Sequence, residues 1–169
     1  MTPIQTRRLV LDELRLSDKE AFFRNIAHDR TVLETFMCPY AETMEDLDFA
    51  PYLAHRDSGR LLAIRLKDSR ELTGILTRFG EEGDACEIGY AVGSAHWNRG
   101  YATEAVRVFL AQLFREGFRT ISVGFFTGND ASRRVMEKCG MTYSRFAAKE
   151  LTYLDLERDV TYYCIRNME

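Results

Sequence analysis

The hydrophobic period of this sequence changes near residue 100, and that change constrains the fold more than any other feature. Before it, Leu62–Leu66 and Leu72–Thr77 are short β-like runs separated by Lys67-Asp68-Ser69-Arg70, the spacing of a hairpin. A third run, Ala85–Val92, follows the polar turn Glu81-Glu82-Gly83-Asp84, so the three read as an antiparallel meander. After it, Ala102, Ala105, Val106, Phe109, Leu110, Leu113 and Phe114 recur at three-four spacing, the stripe of a helix with one buried face. Gly117 suits the stop of that helix, and Ile121–Phe126 then reads as a buried strand. Strand, helix and strand in that order call for a right-handed parallel crossover.

The flanks complete the pattern. Thr6–Leu14 reads as a first strand, and Ser17 with Glu20 forms a capping box that predicts a helix beginning near Ser17. Leu47, Tyr52 and Leu53 suggest a second helix ending near Ser58 and Gly59. A helix over Ala131–Cys139, opened by Asn129-Asp130 and stopped by Gly140, precedes two strands over about 141–148 and 153–165. The expected fold is mixed α/β: an antiparallel N-terminal meander leads into a central parallel βαβ crossover, with helices on both faces. At 169 residues it is read as a single domain over 1–169.

Composition removes several classes of function. No run of about 18 apolar residues exists to span a membrane, and the opening Met1–Gln5 has no apolar segment of the secretory kind. Twenty-three basic against 26 acidic residues, with no basic run longer than Arg7-Arg8 or Arg133-Arg134, argue against nucleic acid as a partner. Cys38, Cys86, Cys139 and Cys164 are far apart and form no C-x-x-C pair, which points to free, mostly buried thiols and a cytoplasmic setting. His28, His55 and His96 have no metal-ligand spacing, so no metal is expected.

Two places exceed the needs of a core. In Trp97-Asn98-Arg99-Gly100-Tyr101-Ala102-Thr103, a glycine and a small residue open a helix, where free N–H groups and the helix dipole favour an anion. With one glycine this is neither a dinucleotide fingerprint nor a P-loop. Just upstream, Gly89 and Gly93 flank Tyr90-Ala91-Val92, and glycine in a strand marks a bulge or a close backbone approach.

In these residues the sequence resembles the GNAT superfamily of acetyl-CoA-dependent N-acetyltransferases, and within it the branch of the RimJ and RimL enzymes, which acetylate the N-termini of ribosomal proteins. Trp97-Asn98-Arg99-Gly100-Tyr101-Ala102-Thr103-Glu104-Ala105 is similar to that branch's W-G-[K/R]-G-[Y/F]-A-T-E-A, with Asn98 where glycine is typical. Glu87-Ile88-Gly89-Tyr90 matches its E-I-G-Y, and Asn129-Asp130-Ala131-Ser132 followed by Glu137–Met141 matches its N-x-x-S…E-K-x-G-F, with Met141 for phenylalanine. Thr6–Leu11 also resembles the family's first strand. The likeness covers about residues 4–165 and is weakest over 35–60.

The resemblance implies acetyl-CoA as cosubstrate, its pyrophosphate on Asn98, Arg99, Gly100, Tyr101, Ala102 and Thr103. It implies pantetheine along the backbone of Tyr90, Ala91 and Val92, a main-chain N–H there for the thioester oxygen, and hydrogen bonding from Asn129. Arg133 and Ser132 join the cofactor-binding set, and Arg99, Arg134 and Lys138 lie near the same helix starts. Glu87 is the preferred base, and Ser132 the candidate acid, since the family's usual tyrosine is replaced by Met136. Their structural alternatives are a cross-strand ion pair for Glu87 and a cofactor or backbone bond for Ser132.

An α-amine with a pKa of about 7.7–8.0 is roughly one-tenth neutral at pH 7, whereas a lysine near 10.4 is neutral in about one molecule in 2,500, a difference of about 3.5 kcal/mol. The N-terminal α-amine of a protein or peptide therefore demands least of a base and is the first acceptor expected. The alternatives are a small amine (polyamine, aminoglycoside or amino acid), for which Glu42, Glu45, Asp46 and Asp48 supply negative charge, and a coenzyme A-binding module without turnover. An edge strand near the C-terminus offers a surface for a homodimer.

Overall fold

In the computed structural model, which describes residues 2–167, the chain opens with two short strands. β1 (Ile4–Gln5) and β2 (Leu9–Asp12) pair antiparallel, with Ile4 opposite Leu11. The strand expected over Thr6–Leu14 forms only over Leu9–Asp12, with a separate short strand before it. Thr6 turns the chain instead: its Oγ1 accepts the Leu9 N–H at 2.9 Å, and its own N–H donates to the Leu9 carbonyl at 2.9 Å.

The next helix also departs from its expected cap. A 3₁₀ turn over Leu16–Asp18 runs into α1 (Lys19–Phe22), which continues as a π turn over Phe23–Ala27. The Ser17–Glu20 box is replaced by Asp18, whose carboxylate accepts the Arg15 N–H at 2.6 Å. Tertiary structure decides this, because Asp18 also receives the buried Arg65. Asp29 caps the short α2 (Arg30–Leu33) through the N–H groups of Thr31 and Val32. α3 (Ala50–Asp57) carries Pro51 in its first turn, where a missing N–H is tolerated, and ends at Ser58 before left-handed Gly59.

β3 (Leu61–Leu66), β4 (Leu72–Glu82) and β5 (Ala85–Val92) follow, β4 running five residues beyond the expected Thr77. β5 leads through a 3₁₀ turn (Ser94–His96) to α4 (Tyr101–Arg115), β6 (Thr120–Phe126) and α5 (Asp130–Lys138). β7 (Thr142–Tyr153) and β8 (Leu156–Arg166) close the chain. The strand order is β1-β2-β3-β4-β5-β6-β8-β7 in a mixed sheet. β2, β3 and β4 pair antiparallel in succession, and β5 pairs parallel with β6, Ala85 opposite Thr120 and Glu87 opposite Ser122. The meander and the βαβ crossover are thus present.

The residues group into two compact units: one extends to Thr77 and resumes over Tyr90–Val108, and the other comprises Arg78–Gly89 and the chain from Phe109. β4, β5 and α4 each run covalently from one into the other. In the first, a cluster including Phe22, Ile26, Val32, Phe49, Leu61, Leu72, Ile75 and Ala91 packs the N-terminal helices onto β3, β4 and β5. Arg65 of β3 is the largest buried side chain there, 2% exposed. Its Nε donates to Asp12 at 2.5 Å, its two terminal nitrogens to the Asp18 carboxylate at 2.7 Å each, and one of these also to the Glu13 carbonyl. This planar fork ties β2, the 3₁₀ turn and β3 together, as arginine geometry permits.

In the second unit, Ile121, Val123, Phe125, Met136, Met141, Val160 and Tyr163 are buried. β7 and β8 turn at Leu154-Asp155, both left-handed with φ 52° and 57°, so the hairpin lies later than expected and β7 absorbs an irregularity between Ala147 and Leu151. All four cysteines are free, Cys38 and Cys86 buried and Cys139 and Cys164 half-buried. Burial pushes the Cys86 thiol up to about 11. Among the described residues no helix is long and apolar enough to cross a membrane.

Candidate functional site

The anion loop is built by its own backbone and by residues distant in sequence. Asn98 and Gly100 are both left-handed, φ 57° and 78°, with Arg99 between them outside that region. Such alternation is the backbone pattern of an anion-binding nest, and here it opens directly into α4. Asparagine tolerates the left-handed conformation better than most side chains, which explains how it stands where the related pattern has glycine. A Cβ at Gly100 would lie 3.3 Å from the Arg8 guanidinium.

Arg8 and Glu104 hold this loop. Glu104 Oε1 accepts the Thr6 hydroxyl at 2.6 Å and the Arg8 N–H at 2.9 Å, and Oε2 accepts Arg8 Nε at 2.8 Å. The Arg8 guanidinium also donates to the Arg99 carbonyl at 2.7 Å and lies 4.7 Å over the Tyr101 ring. Burial works to raise the Glu104 carboxyl, but the bonds from Thr6 and Arg8 outweigh it and hold the group below the usual carboxylate range. These partners were missed as functional residues. Their only sequence trace is the family likeness of Thr6–Leu11 and Thr103-Glu104-Ala105.

The end of β5 is fixed in the same unit. Trp97 Nε1 donates to the Val92 carbonyl at 2.6 Å, and the Gly93 N–H donates to the Thr73 carbonyl at 2.8 Å. A Cβ on Gly74 would strike the Ala91 carbonyl, so the close approach expected near Gly89 and Gly93 also requires a glycine on β4. Asp29 accepts the Ser94 N–H at 3.0 Å, joining the α2 cap to the turn. His96 has a buried Nδ1 with no hydrogen-bond partner, and burial lowers its pKa.

In the other unit, Glu87 is half-buried on β5. Burial pushes its carboxyl above the ordinary range, Glu150 adds to that, and Arg145 and a backbone hydrogen bond from Gly124 oppose it. Arg145 stacks 3.6 Å over the Tyr162 ring and lies 3.6 Å from Glu150, which accepts the Tyr162 hydroxyl at 3.2 Å. Asn129 is the N-cap of α5, its Oδ1 accepting the Ser132 N–H at 3.1 Å. Arg133 pairs along its own helix with Asp130 at 3.2 Å and Glu137 at 2.9 Å. Met136 is fully buried and packs as core. Tyr143 of β7 is 60% exposed. Among the described residues no cluster of three or more His, Cys, Asp or Glu side chains could hold a metal ion.

The sequence matches the family described as acetyltransferase (GNAT) domain over residues 8–142. The chain is a GNAT acetyltransferase. It is similar to YoaA of Bacillus subtilis, an uncharacterized N-acetyltransferase, with 28% identity over 151 residues that cover 83% of each chain. The fold is shared with a GNAT-family acetyltransferase from Bacillus anthracis at TM-score 0.85 and 24% identity, covering 98% of both chains. It is also shared with RimL, a ribosomal L7/L12 alpha-N-protein acetyltransferase in complex with coenzyme A, at TM-score 0.84 and 17% identity, again over 98% of both. Membership makes the protein an acetyl-CoA-dependent N-acetyltransferase. The left-handed pair at Asn98 and Gly100 and the start of α4 fit an anionic diphosphate, which is the group such a cosubstrate brings.

Proposed function

We propose that this GNAT acetyltransferase transfers acetyl to the N-terminal α-amine of a protein or peptide, with Glu87 as general base. The observation that carries the reading is the half-buried Glu87 carboxyl, raised by burial on the strand that continues into Tyr90–Val92. A carboxyl raised by burial is a stronger base than an exposed one, and an ammonium group of pKa about 7.7–8.0 asks less of it than one near 10.4. The α-N-protein activity of RimL supports the same acceptor by analogy of fold.

In this proposal Asn98–Thr103 hold the diphosphate, and Tyr90, Ala91 and Val92 line pantetheine, with the Val92 carbonyl already engaged by Trp97. Acetyl-CoA supplies an electrophilic thioester carbonyl and a sulfur leaving group. Glu87 takes one proton from the acceptor ammonium, which frees the nitrogen lone pair to attack the thioester carbonyl. As the C–N bond forms and the C–S bond breaks, the second proton lost by nitrogen is relayed through Ser132 or water to the departing sulfur. Asn129 contributes through its carboxamide nitrogen, and Arg133, held along its own helix by Asp130 through Nε and Glu137 through Nη1, contributes positive charge.

Calorimetric titration with acetyl-CoA, followed by an acceptor screen read by product mass, tests the proposal. Binding near one ligand per chain and acetylation of N-terminal peptides are expected. Turnover of polyamines alone, abolished by charge reversal of Glu45 and Asp46, would transfer the assignment to a small-amine enzyme. Saturable binding without turnover of any amine would leave a coenzyme A-binding module.

A further inference from the structure

α3 lies over β3 and β4 without sealing against them. None of its residues is fully buried, although Tyr52 and Leu53 pack at the margin of the core. Beneath it is a cavity of about 400 Å³, walled by Phe36, Leu47, Tyr52, Leu61 and Ile75. Protein interiors rarely leave voids larger than a water molecule, and this volume falls in the range of small-molecule sites.

The cavity is propped rather than collapsed. His55 of α3 reaches Thr77 of β4, with Nε2 and Oγ1 2.8 Å apart, and the Tyr52 hydroxyl meets Cys38 Sγ at 2.9 Å. Asp46 and Asp48 complete the lining and leave it negatively charged. Asp46 is fixed by the N–H and hydroxyl of Thr43 at 2.9 and 2.8 Å, and Asp48 accepts the Ala50 N–H at 3.3 Å. Leu61 and Ile75 share one buried cluster with Ala91, and Gly74, the residue before Ile75, abuts the Ala91 carbonyl. The cavity therefore takes two of its walls from the cluster that holds Ala91, a residue of the backbone assigned to pantetheine.

We propose that this cavity receives the carbon body of the acceptor, and that the acceptor is a primary amine bearing a bulky apolar group, aromatic or branched aliphatic. Apolar walls take the body, and the two carboxylates draw in the cation. The inference rests on the acetyltransferase reading and adds the class of amine. A peptide beginning with Phe or Leu and an arylalkylamine share this chemistry.

The test measures kcat/KM with acetyl-CoA for peptides differing only in their first residue (Ala, Val, Leu, Phe), and for ethylamine against 2-phenylethylamine. Each favourable step in apolar size is expected to gain about 10–200-fold. Whether the peptide or the free-amine series shows the larger gain identifies the source. Ile75→Phe, which fills the cavity, should collapse the preference for Phe over Ala, and Leu47→Ala, which widens it, should move the optimum to a larger group. If Ile75→Phe does not fold, Leu47→Ala and the wild-type series decide. Equal kcat/KM across the panel, or a preference unchanged in both variants, overturns the proposal, as does a preference for polyamines. Calorimetry with 2-phenylethanol, which has no amine, separates the two readings. Binding that Ile75→Phe abolishes, with no amine acetylated, would keep the pocket and remove the α-amine function.

Discussion

Replacing Arg65 by Met keeps most of the side-chain volume but deletes the guanidinium. Four hydrogen bonds go with it, one to Asp12, two to Asp18 and one to the Glu13 carbonyl. Asp12 and Asp18, exposed only 4% and 8%, are then left with little compensation, although Arg15 still reaches Asp12 at 2.9 Å. Removing one member of a buried ion pair costs about 3–5 kcal/mol, because the remaining charge is stranded. In a chain of this length each kcal/mol moves Tm by about 2–4 °C, so a fall of roughly 6–20 °C is expected at pH 7.

The pH dependence has a definite sign. In the wild type, burial works to raise the Asp18 carboxyl, but Arg65 and the Arg15 N–H overcome it and hold the group below its ordinary range. A depressed folded value gives stability that is present above the unfolded value, near 3.9, and is lost as pH falls through the folded one. Without Arg65 the same burial acts unopposed by its charge, and protonation relieves the variant. The deficit in Tm should therefore be largest near pH 7 and shrink as pH falls through about 4. Circular dichroism melts of both proteins from pH 7 to pH 3.5 measure it. A deficit under 2 °C at pH 7, or one constant across the range, would refute the account. Asp18→Asn added to Arg65→Met should recover part of the loss.

Two other substitutions bear on the site. Glu87→Gln should lower kcat/KM about 10²–10⁴-fold while raising Tm at pH 7. A carboxyl raised on folding contributes stability below its unfolded value that is lost as pH rises, so the gain in Tm should vanish near pH 4, and a melt showing destabilisation at pH 7 would contradict the burial argument. Gly100→Ala forces a Cβ into a left-handed position that the fold already holds, at a cost of about 1–2 kcal/mol, so Tm measured by circular dichroism should fall by roughly 2–8 °C.

What could be read from the sequence was what depends on neighbours along the chain. α4 and α5 follow from their apolar stripes and the glycines after them, and the loop before α4 from the run Trp97–Thr103. The β7–β8 turn was misplaced because Leu154-Asp155 adopts two left-handed conformations without the Asn-Gly type of signal that marks such a turn. The Ser17–Glu20 cap failed because Asp18 is claimed by Arg65, 47 residues away. Arg8 and Glu104 each fall in a family-like run, but their pairing across 96 positions has no local signal. The same holds for Arg145 and Glu150 around Glu87, which only the strand register brings into range.

The clasp of Glu104, Arg8 and Trp97 on the anion loop has a consequence for the rate of the proposed ligand exchange. Their bonds order the loop during folding, so little conformational freedom remains to be lost when an anion arrives. Association then has no loop closure to wait for and is governed by diffusion and charge, which salt screens. On the proposed assignment of this loop to the diphosphate, release of the spent cosubstrate would likewise meet no gate here, and its rate would follow from the strength of the phosphate contacts.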